Sequence, residues 1–144
     1  MKVSEAMTPN PLTCKVSDTL TDCSIAMKDL NVGVMPVVSD GDDLVGIITD
    51  RDITVRAVAQ GVNPNTAQVG EFMTPSPETI NPDINVEDAA ERMAHLQVRR
   101  LPVVDDNGKL VGIVSLGDLA VDVGEAEMIE HTLEMISEPV RSRE

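Results

Sequence analysis

Val3-Ser4-Glu5-Ala6-Met7-Thr8-Pro9-Asn10-Pro11 returns 66 residues later as Val69-Gly70-Glu71-Phe72-Met73-Thr74-Pro75-Ser76-Pro77. In the same ungapped register Met35-Pro36-Val37-Val38 falls on Leu101-Pro102-Val103-Val104, Leu44-Val45-Gly46-Ile47 on Leu110-Val111-Gly112-Ile113, and Asp52 on Asp118. About 20 of the aligned positions are identical, far beyond chance for one register without a gap. The chain is an internal duplication.

Working outward, each copy reads by period. After the Met-Thr-Pro turn comes a short extended piece, Leu12-Thr13-Cys14 or Glu78-Thr79-Ile80. Helical spacing follows: Leu20, Cys23, Met27 and Leu30 in one copy, Val86, Ala89, Ala90, Met93 and Leu96 in the other. Thr19 and Asn85 stand where N-caps belong. Two β-rich runs come next, Val34 to Val38 and Leu44 to Ile48, joined by Ser39-Asp40-Gly41-Asp42-Asp43. In the second copy the joint is Asp105-Asp106-Asn107-Gly108, and Asn-Gly between apolar runs is a strong hairpin signal. A second helix opens at Thr49-Asp50-Arg51-Asp52 or Ser115-Leu116-Gly117-Asp118. In the first copy it should end at Gly61, a residue suited to a C-cap. The expectation is an α/β (α+β) chain of two tandem β-α-β-β-α repeats: repeat 1 over 1–60, a linker over 61–68, repeat 2 over 69–123, and an acidic C-terminal helix and tail over 124–144. In that last segment Met128, Ile129, Leu133 and Ile136 fall on one stripe.

Composition narrows the function classes. The formal charge is −14, from 25 acidic against 11 basic residues, and the one aromatic residue is Phe72. A field of that sign repels polyanions, and no basic run or stacking aromatics offset it, so neither nucleic acid nor an anionic membrane surface is expected as a partner. No window is apolar enough to span a membrane and the start lacks a signal-peptide pattern, so the expected location is cytoplasmic. Cys14 and Cys23 are expected as free, half-buried thiols, not a disulfide. With only His95 and His131 besides, they show no metal-ligand spacing, so no metal is expected. Catalytic signatures are missing too: no nucleophile triad, no paired general-acid carboxylates, no phosphate loop. His95 and His131 read as surface residues. The chain is expected not to be an enzyme and to carry no catalytic cofactor.

Two features remain to be used. Thr49-x-x-Asp52 and Ser115-x-x-Asp118 are close to a capping box, in which hydroxyl and carboxylate satisfy the first N–H groups of a helix. The same chemistry suits a ligand: a helix N-terminus favours phosphate, and a carboxylate accepts two ribose hydroxyls side by side. The uses are not exclusive. Arg99-Arg100 is a solvated basic pair on the plain reading; on the other, its guanidinium fork suits phosphate. The matching positions of copy one, Gly33 and Val34, offer no charge.

A Met-Thr-Pro opening, an Ala/Met helix, Pro-Val-Val, and a Val-Gly-Ile-(Ile/Val)-(Thr/Ser)-x-x-Asp close resemble the cystathionine-beta-synthase (CBS) domain, and two in tandem resemble a CBS pair, or Bateman module. The resemblance covers residues 1 to about 122 and is strongest to stand-alone prokaryotic CBS-pair proteins. It implies a pseudo-twofold axis relating the repeats, two clefts between them, and a regulatory, signal-transducing role in which the clefts take AMP, ADP, ATP, S-adenosylmethionine or NADH. It also implies a homodimer and a separate regulated protein as partners. Carried onto this sequence, one cleft comprises Leu12, Thr13, Val32, Arg100, Ser115 and Asp118; the other comprises Thr49, Arg51, Asp52, Glu78, Thr79 and Val98. Asp52 and Asp118 take the ribose, Arg100 a phosphate, and the apolar positions the adenine. Gly46 and Gly112 are expected to permit close backbone packing. The alternative is a homodimeric interaction protein with no functional ligand.

Overall fold

A computed structural model describes residues 1–123 and 135–136, with side chains of the last long helix described through Leu119. The elements run α1 (Val3–Ala6), β1 (Thr8–Pro9), β2 (Cys14–Lys15), α2 (Leu20–Leu30), β3 (Val34–Val38), β4 (Leu44–Thr49), a π-helix (Asp52–Ala57) continued by a 3-10 turn (Val58–Gln60), α3 (Val69–Phe72), β5 (Thr74–Pro75), α4 (Val86–Leu96), β6 (Arg100–Val104), β7 (Leu110–Ser115) and α5 (Leu116–Val123). The α+β class and the duplication hold. The acidic helix expected from Glu125 to Ile136 lies outside the described residues except for Met135 and Ile136, which are helical; the tail from Glu138 to Glu144 lies outside them as well.

Two compact units form, and their boundaries differ from the 1–60 and 69–123 division. The repeat-1 unit holds Leu12–Pro77 and Gly108–Leu110; the repeat-2 unit holds Met1–Pro11, Glu78–Asn107 and the described residues from Val111 onward. The opening segments have been exchanged. In the repeat-1 unit β3 and β4 form an antiparallel hairpin (Val34↔Thr49 to Val38↔Leu44, with an irregularity at Val37/Val38). On one side β2 joins β3 in parallel, Cys14 opposite Val37. On the other lies β5 from the second copy's opening, Ile47 opposite Thr74. The repeat-2 unit mirrors this with the order β1-β7-β6, Thr8 opposite Ile113, and a parallel bridge from Ile80 to Val103.

The same hydrogen bonds anchor both exchanged segments. Val69 N–H donates to the Asp18 carbonyl at 2.8 Å and Gly70 N–H to Val16 at 3.0 Å; in the other unit Val3 N–H donates to Ile84 at 2.9 Å and Ser4 N–H to Pro82 at 3.0 Å. Leu20 N–H, opening α2, is met by the Ala67 carbonyl at 3.0 Å, and Val86 N–H, opening α4, by that of Met1 at 3.0 Å. Helix N-termini expose N–H groups without intrahelical partners, so these carbonyls act as caps supplied from a distant stretch. The segment 61–68, expected to be a linker, is thereby packed onto α2: Thr21 N–H also donates to Pro64 at 3.1 Å, and Ala67 is buried. Each Met-Thr-Pro strand lies at a sheet edge, where a proline without an N–H is tolerated.

The expected glycine role is clear. A Cβ at Gly46 would overlap the Met73 thioether and stand 3.0 Å from the Thr74 carbonyl; one at Gly112 would meet Met7 and the Thr8 carbonyl in the same way. These glycines let the exchanged segments lie flat on the hairpins. Each unit has its own core. In the repeat-1 unit Leu20, Cys23 and Met27 of α2 pack with Met35, Val37, Ile48, Ile53, Ala57 and Val69. The other is built on Val3, Ile80, Ala89, Ala90, Met93, Leu101, Val103, Val114 and Leu119. Leu30, assigned to the apolar stripe, is exposed, because Met27 ends the buried face one turn earlier. Thr19 caps α2, its hydroxyl accepting from Asp22 N–H at 3.1 Å; Asn85 holds the matching place, but its side chain accepts no such bond. Gly61 closes the first copy's second helix with φ +78°, as expected. Among the described residues no helix is long and apolar enough to cross a membrane.

Candidate functional site

The hairpin's second strand ends on a hydroxyl residue and turns directly into a helix, and this junction is built alike in both units. In the repeat-1 unit Thr49 N–H donates to Asp52 Oδ2 at 2.9 Å, and Asp52 N–H donates back to Thr49 Oγ1 at 3.1 Å. In the repeat-2 unit Ser115 N–H donates to Asp118 Oδ2 at 2.9 Å and Asp118 N–H to Ser115 Oγ at 3.1 Å. Thr/Ser-x-x-Asp is therefore a reciprocal cap in both copies. All four side chains are half-buried. A carboxylate has about four acceptor positions, so an oxygen that receives one N–H keeps capacity for a ligand hydroxyl.

The helix start is tied to the first strand as well. Asp50 N–H donates to the Gly33 carbonyl at 2.9 Å, and Leu116 N–H to the Arg99 carbonyl at 2.9 Å. Residues 32–34 are thus brought beside Thr49 and Asp52, and residues 98–100 beside Ser115 and Asp118. Val32 therefore shares a unit with Asp52 and Val98 with Asp118, whereas the expected sets group each with the carboxylate of the opposite copy. Both valines are half-buried against their cores, and their N–H groups close the preceding helices on the Met27 and Met93 carbonyls at 3.0 Å. Each expected set draws residues from both units. Leu12, Thr13 and Val32 belong to the repeat-1 unit with Thr49, Arg51 and Asp52; Glu78, Thr79 and Val98 belong to the repeat-2 unit with Arg100, Ser115 and Asp118.

The cations differ between the copies. Arg100 begins β6 and is exposed, at the same end of its hairpin as Ser115 and Asp118. Arg51 is exposed and lines an open hollow of about 300 Å³ with Asp50, Thr54 and Val55. Sequence reasoning missed Arg56. Its Nη1 stands 4.0 Å from Asp52 Oδ1 and donates to the Phe72 carbonyl at 2.9 Å, so it ties the candidate carboxylate to the end of α3. The signal was present as an i,i+4 Asp–Arg pair; the corresponding residue in the second copy is Asp122. Asp50 was also passed over. Its carboxylate accepts from Arg51 N–H at 2.8 Å and lies close over Gly33, where a Cβ would sit 3.0 Å from Oδ2 and the carboxylate would have to shift by a few tenths of an ångström.

The remaining expected contacts are varied. Leu12 and Thr13 are exposed, Leu12 at 63%. Thr79 is half-buried, and Glu78 is paired with Arg92 at 2.9 Å on the surface. His95 is exposed on α4, as expected, and His131 lies outside the described residues. Among the described residues no group of three or more His, Cys, Asp or Glu is placed to hold a metal ion.

Against known proteins, the family model for the CBS domain matches twice, over residues 3–58 and 69–125. The uncharacterized protein YlbB of Bacillus subtilis is 41% identical over 138 residues, 95% of this chain and 92% of its own length. The CBS domain-containing protein YhcV of the same organism is 46% identical over 120 residues, 83% of this chain and 84% of its own. Among solved structures, Hypoxic Response Protein I with two coordinated zinc ions aligns with a TM-score of 0.77 at 31% identity, covering 85% of this chain and 98% of that one. CBSX2, from Arabidopsis thaliana, in complex with AMP gives 0.75 at 31%, covering 88% and 98%. The CBS domain pair of protein MJ0100 with 5-methylthioadenosine and S-adenosyl-L-methionine gives 0.73 at 30%, covering 86% and 96%.

Proposed function

The chain belongs to the CBS domain family, and from that premise we propose that it is a non-catalytic regulatory module that binds an adenosine nucleotide at its two hydroxyl–carboxylate junctions. The observation that carries this reading is the duplicated cap. The same two hydrogen bonds recur in each copy, presenting a carboxylate and the N-terminal end of a helix together. That pairing suits a molecule with ribose hydroxyls and phosphate on one scaffold. AMP in CBSX2, and methylthioadenosine with S-adenosylmethionine in MJ0100, share the adenosine part, which supports this choice of ligand class. Asp52 and Asp118 are assigned to the ribose, Arg100 to a phosphate, and Leu12, Thr13 and Val32, with Glu78, Thr79 and Val98, to adenine. The assembly is a homodimer in the cytoplasm, acting on a separate protein.

A direct test uses the missing chromophores. With no Trp or Tyr the chain absorbs little at 280 nm, so adenine retained through purification dominates near 260 nm. Titration with AMP, ATP, S-adenosylmethionine and NADH should raise the melting temperature for at least one, by mass action. No shift with any at about millimolar concentration would favour the second reading, a self-associating interaction protein. That reading draws support from Val55 and Val58, exposed at 45% and 54% on the segment that follows Asp52.

A further inference from the structure

Cys14 and Cys23 are the chain's two cysteines, and the candidate site uses neither. Cys14 opens β2, opposite Val37, and Cys23 sits one turn into α2, its N–H donating to the Thr19 carbonyl at 3.1 Å. Both thiols are free and fully buried, at 3% and 1% exposure, where half-buried ones were expected. Their sulfurs lie 3.0 Å apart. Among the described residues no hydrogen bond or ion pair joins Cys14–Lys15 to Leu20–Leu30 apart from this sulfur contact, which a small side-chain adjustment closes into a bond.

We propose that Cys14 and Cys23 form a reversible intramolecular dithiol–disulfide couple, oxidised by small hydroperoxides, that ties β2 covalently to α2. Burial sets the oxidant class: a hydroperoxide is small enough to reach the pair on slight local opening, whereas a bulky disulfide is not. The two sulfurs have different roles. The hydrogen bond between the two sulfurs holds Cys14 below the usual thiol range, against burial and the nearby Asp18 and Asp22. That same hydrogen bond, with burial, pushes Cys23 far above it. Cys14 is the nucleophile, because the thiolate is the reactive form. Its sulfur attacks one peroxide oxygen; the O–O bond breaks, Cys14 becomes a sulfenic acid, and the displaced hydroxide takes up the proton Cys14 released. The Cys23 sulfur then attacks the Cys14 sulfur, the S–S bond forms, and the departing hydroxide leaves as water with the Cys23 proton. Two thiols and one hydrogen peroxide give one disulfide and two waters, an organic hydroperoxide giving an alcohol in place of the first water, and the pair supplies both electrons.

The couple is tested without nucleotide, so its failure is separable from that of the proposed ligand. Purified protein is treated with hydrogen peroxide, denatured, and read by thiol titration and intact mass; peptide mapping and thermal melting follow. The expected result is loss of both titratable thiols, a mass lower by two hydrogens, a single peptide pair joining Cys14 to Cys23, and reversal by dithiothreitol. The melting temperature of the oxidised form should rise by at least about 5 °C, since a short loop is closed in the unfolded chain. Cys14→Ala and Cys23→Ala should each lose no hydrogens and show no such rise. Thiols that survive, oxygen added without a cross-link, a disulfide between two chains, or a cross-link without a gain in melting temperature would each overturn the proposal.

Discussion

Replacing Asp118 distinguishes a helix cap from a ribose contact, because the two uses draw on the same carboxylate in different ways. In Asp118→Ala the half-buried Ser115 N–H loses its acceptor at 2.9 Å, while the reverse bond from Asp118 N–H to Ser115 Oγ is made by backbone and survives. The stability lost is that of one cap, about 1 kcal/mol, or a few degrees in melting temperature. In Asp118→Asn the amide keeps an oxygen for Ser115 N–H, so stability should change by only about 0.5 kcal/mol or less. Ligand binding should behave differently. Charge-assisted hydrogen bonds contribute about 1.5–3 kcal/mol each, so losing a ribose contact should weaken affinity at least about tenfold, or ~1.4 kcal/mol. The drop should appear in both variants. Calorimetry with the nucleotide that raises the melting temperature, alongside thermal unfolding of wild type, Asp118→Ala and Asp118→Asn, gives both quantities. If Asp118→Ala melts earlier yet binds as wild type does, the carboxylate is a cap and nothing more, and the ribose assignment is wrong.

Gly112→Ala should cost about 1–3 kcal/mol in urea unfolding, the range for overpacking, because the new Cβ meets Met7 and the Thr8 carbonyl with no backbone room to withdraw. Gly46→Ala should cost as much through Met73 and Thr74, and a variant as stable as wild type would mean the exchanged strands do not lie against the hairpins as described. Arg100→Ala should weaken AMP by about tenfold or more at one site, the loss of a charge-assisted contact, while leaving adenosine nearly unchanged. Equal losses for both ligands in calorimetry would mean that Arg100 acts by packing.

The hairpins and long helices were legible because their periodicity is local. Val34–Val38 is a short continuous apolar run buried from Met35 to Val38, Leu44–Thr49 alternates from Gly46 onward, and the stripe Val86, Ala89, Ala90, Met93 is buried as its spacing requires. The reciprocal cap was legible for the same reason: its partners are three residues apart. Helices α1 and α3, four residues each, are too short to show a period, and the Met-Thr-Pro stretch was read as a turn. The exchange of opening segments was hidden by the duplication itself. Val3 and Val69 carry the same side chain into equivalent pockets, so the local pattern fits either hairpin equally well. What decides is distant: the carbonyls of Ile84 and Asp18 that receive their N–H groups. The exposure of Leu30 and the π-helical winding of Asp52–Ala57 likewise depend on packing that spacing does not encode.

The duplication built two equal carboxylates, and the cations around them make the copies unequal. Asp52 and Asp118 accept the same N–H at the same distance, so neither is the better ribose acceptor by geometry. A phosphate entering a chain with a formal charge of −14 needs local positive charge beyond that of a helix N-terminus, which contributes only about 0.3–1 kcal/mol at an exposed position. In the first copy Arg56 is held by the Phe72 carbonyl and by Asp52 itself, and recruiting it would give up both contacts. Arg51 lines an open hollow with Asp50, whose carboxylate accepts the Arg51 backbone N–H and offsets its charge toward a phosphate. In the second copy Arg100 stands at the strand end beside Ser115 and Asp118. If the junctions bind adenosine compounds as proposed, copy one should favour a ligand held by ribose and base, and copy two one that also carries a phosphate. On the proposed function, a module with two such sites should respond to the ratio of two adenosine compounds instead of the concentration of one.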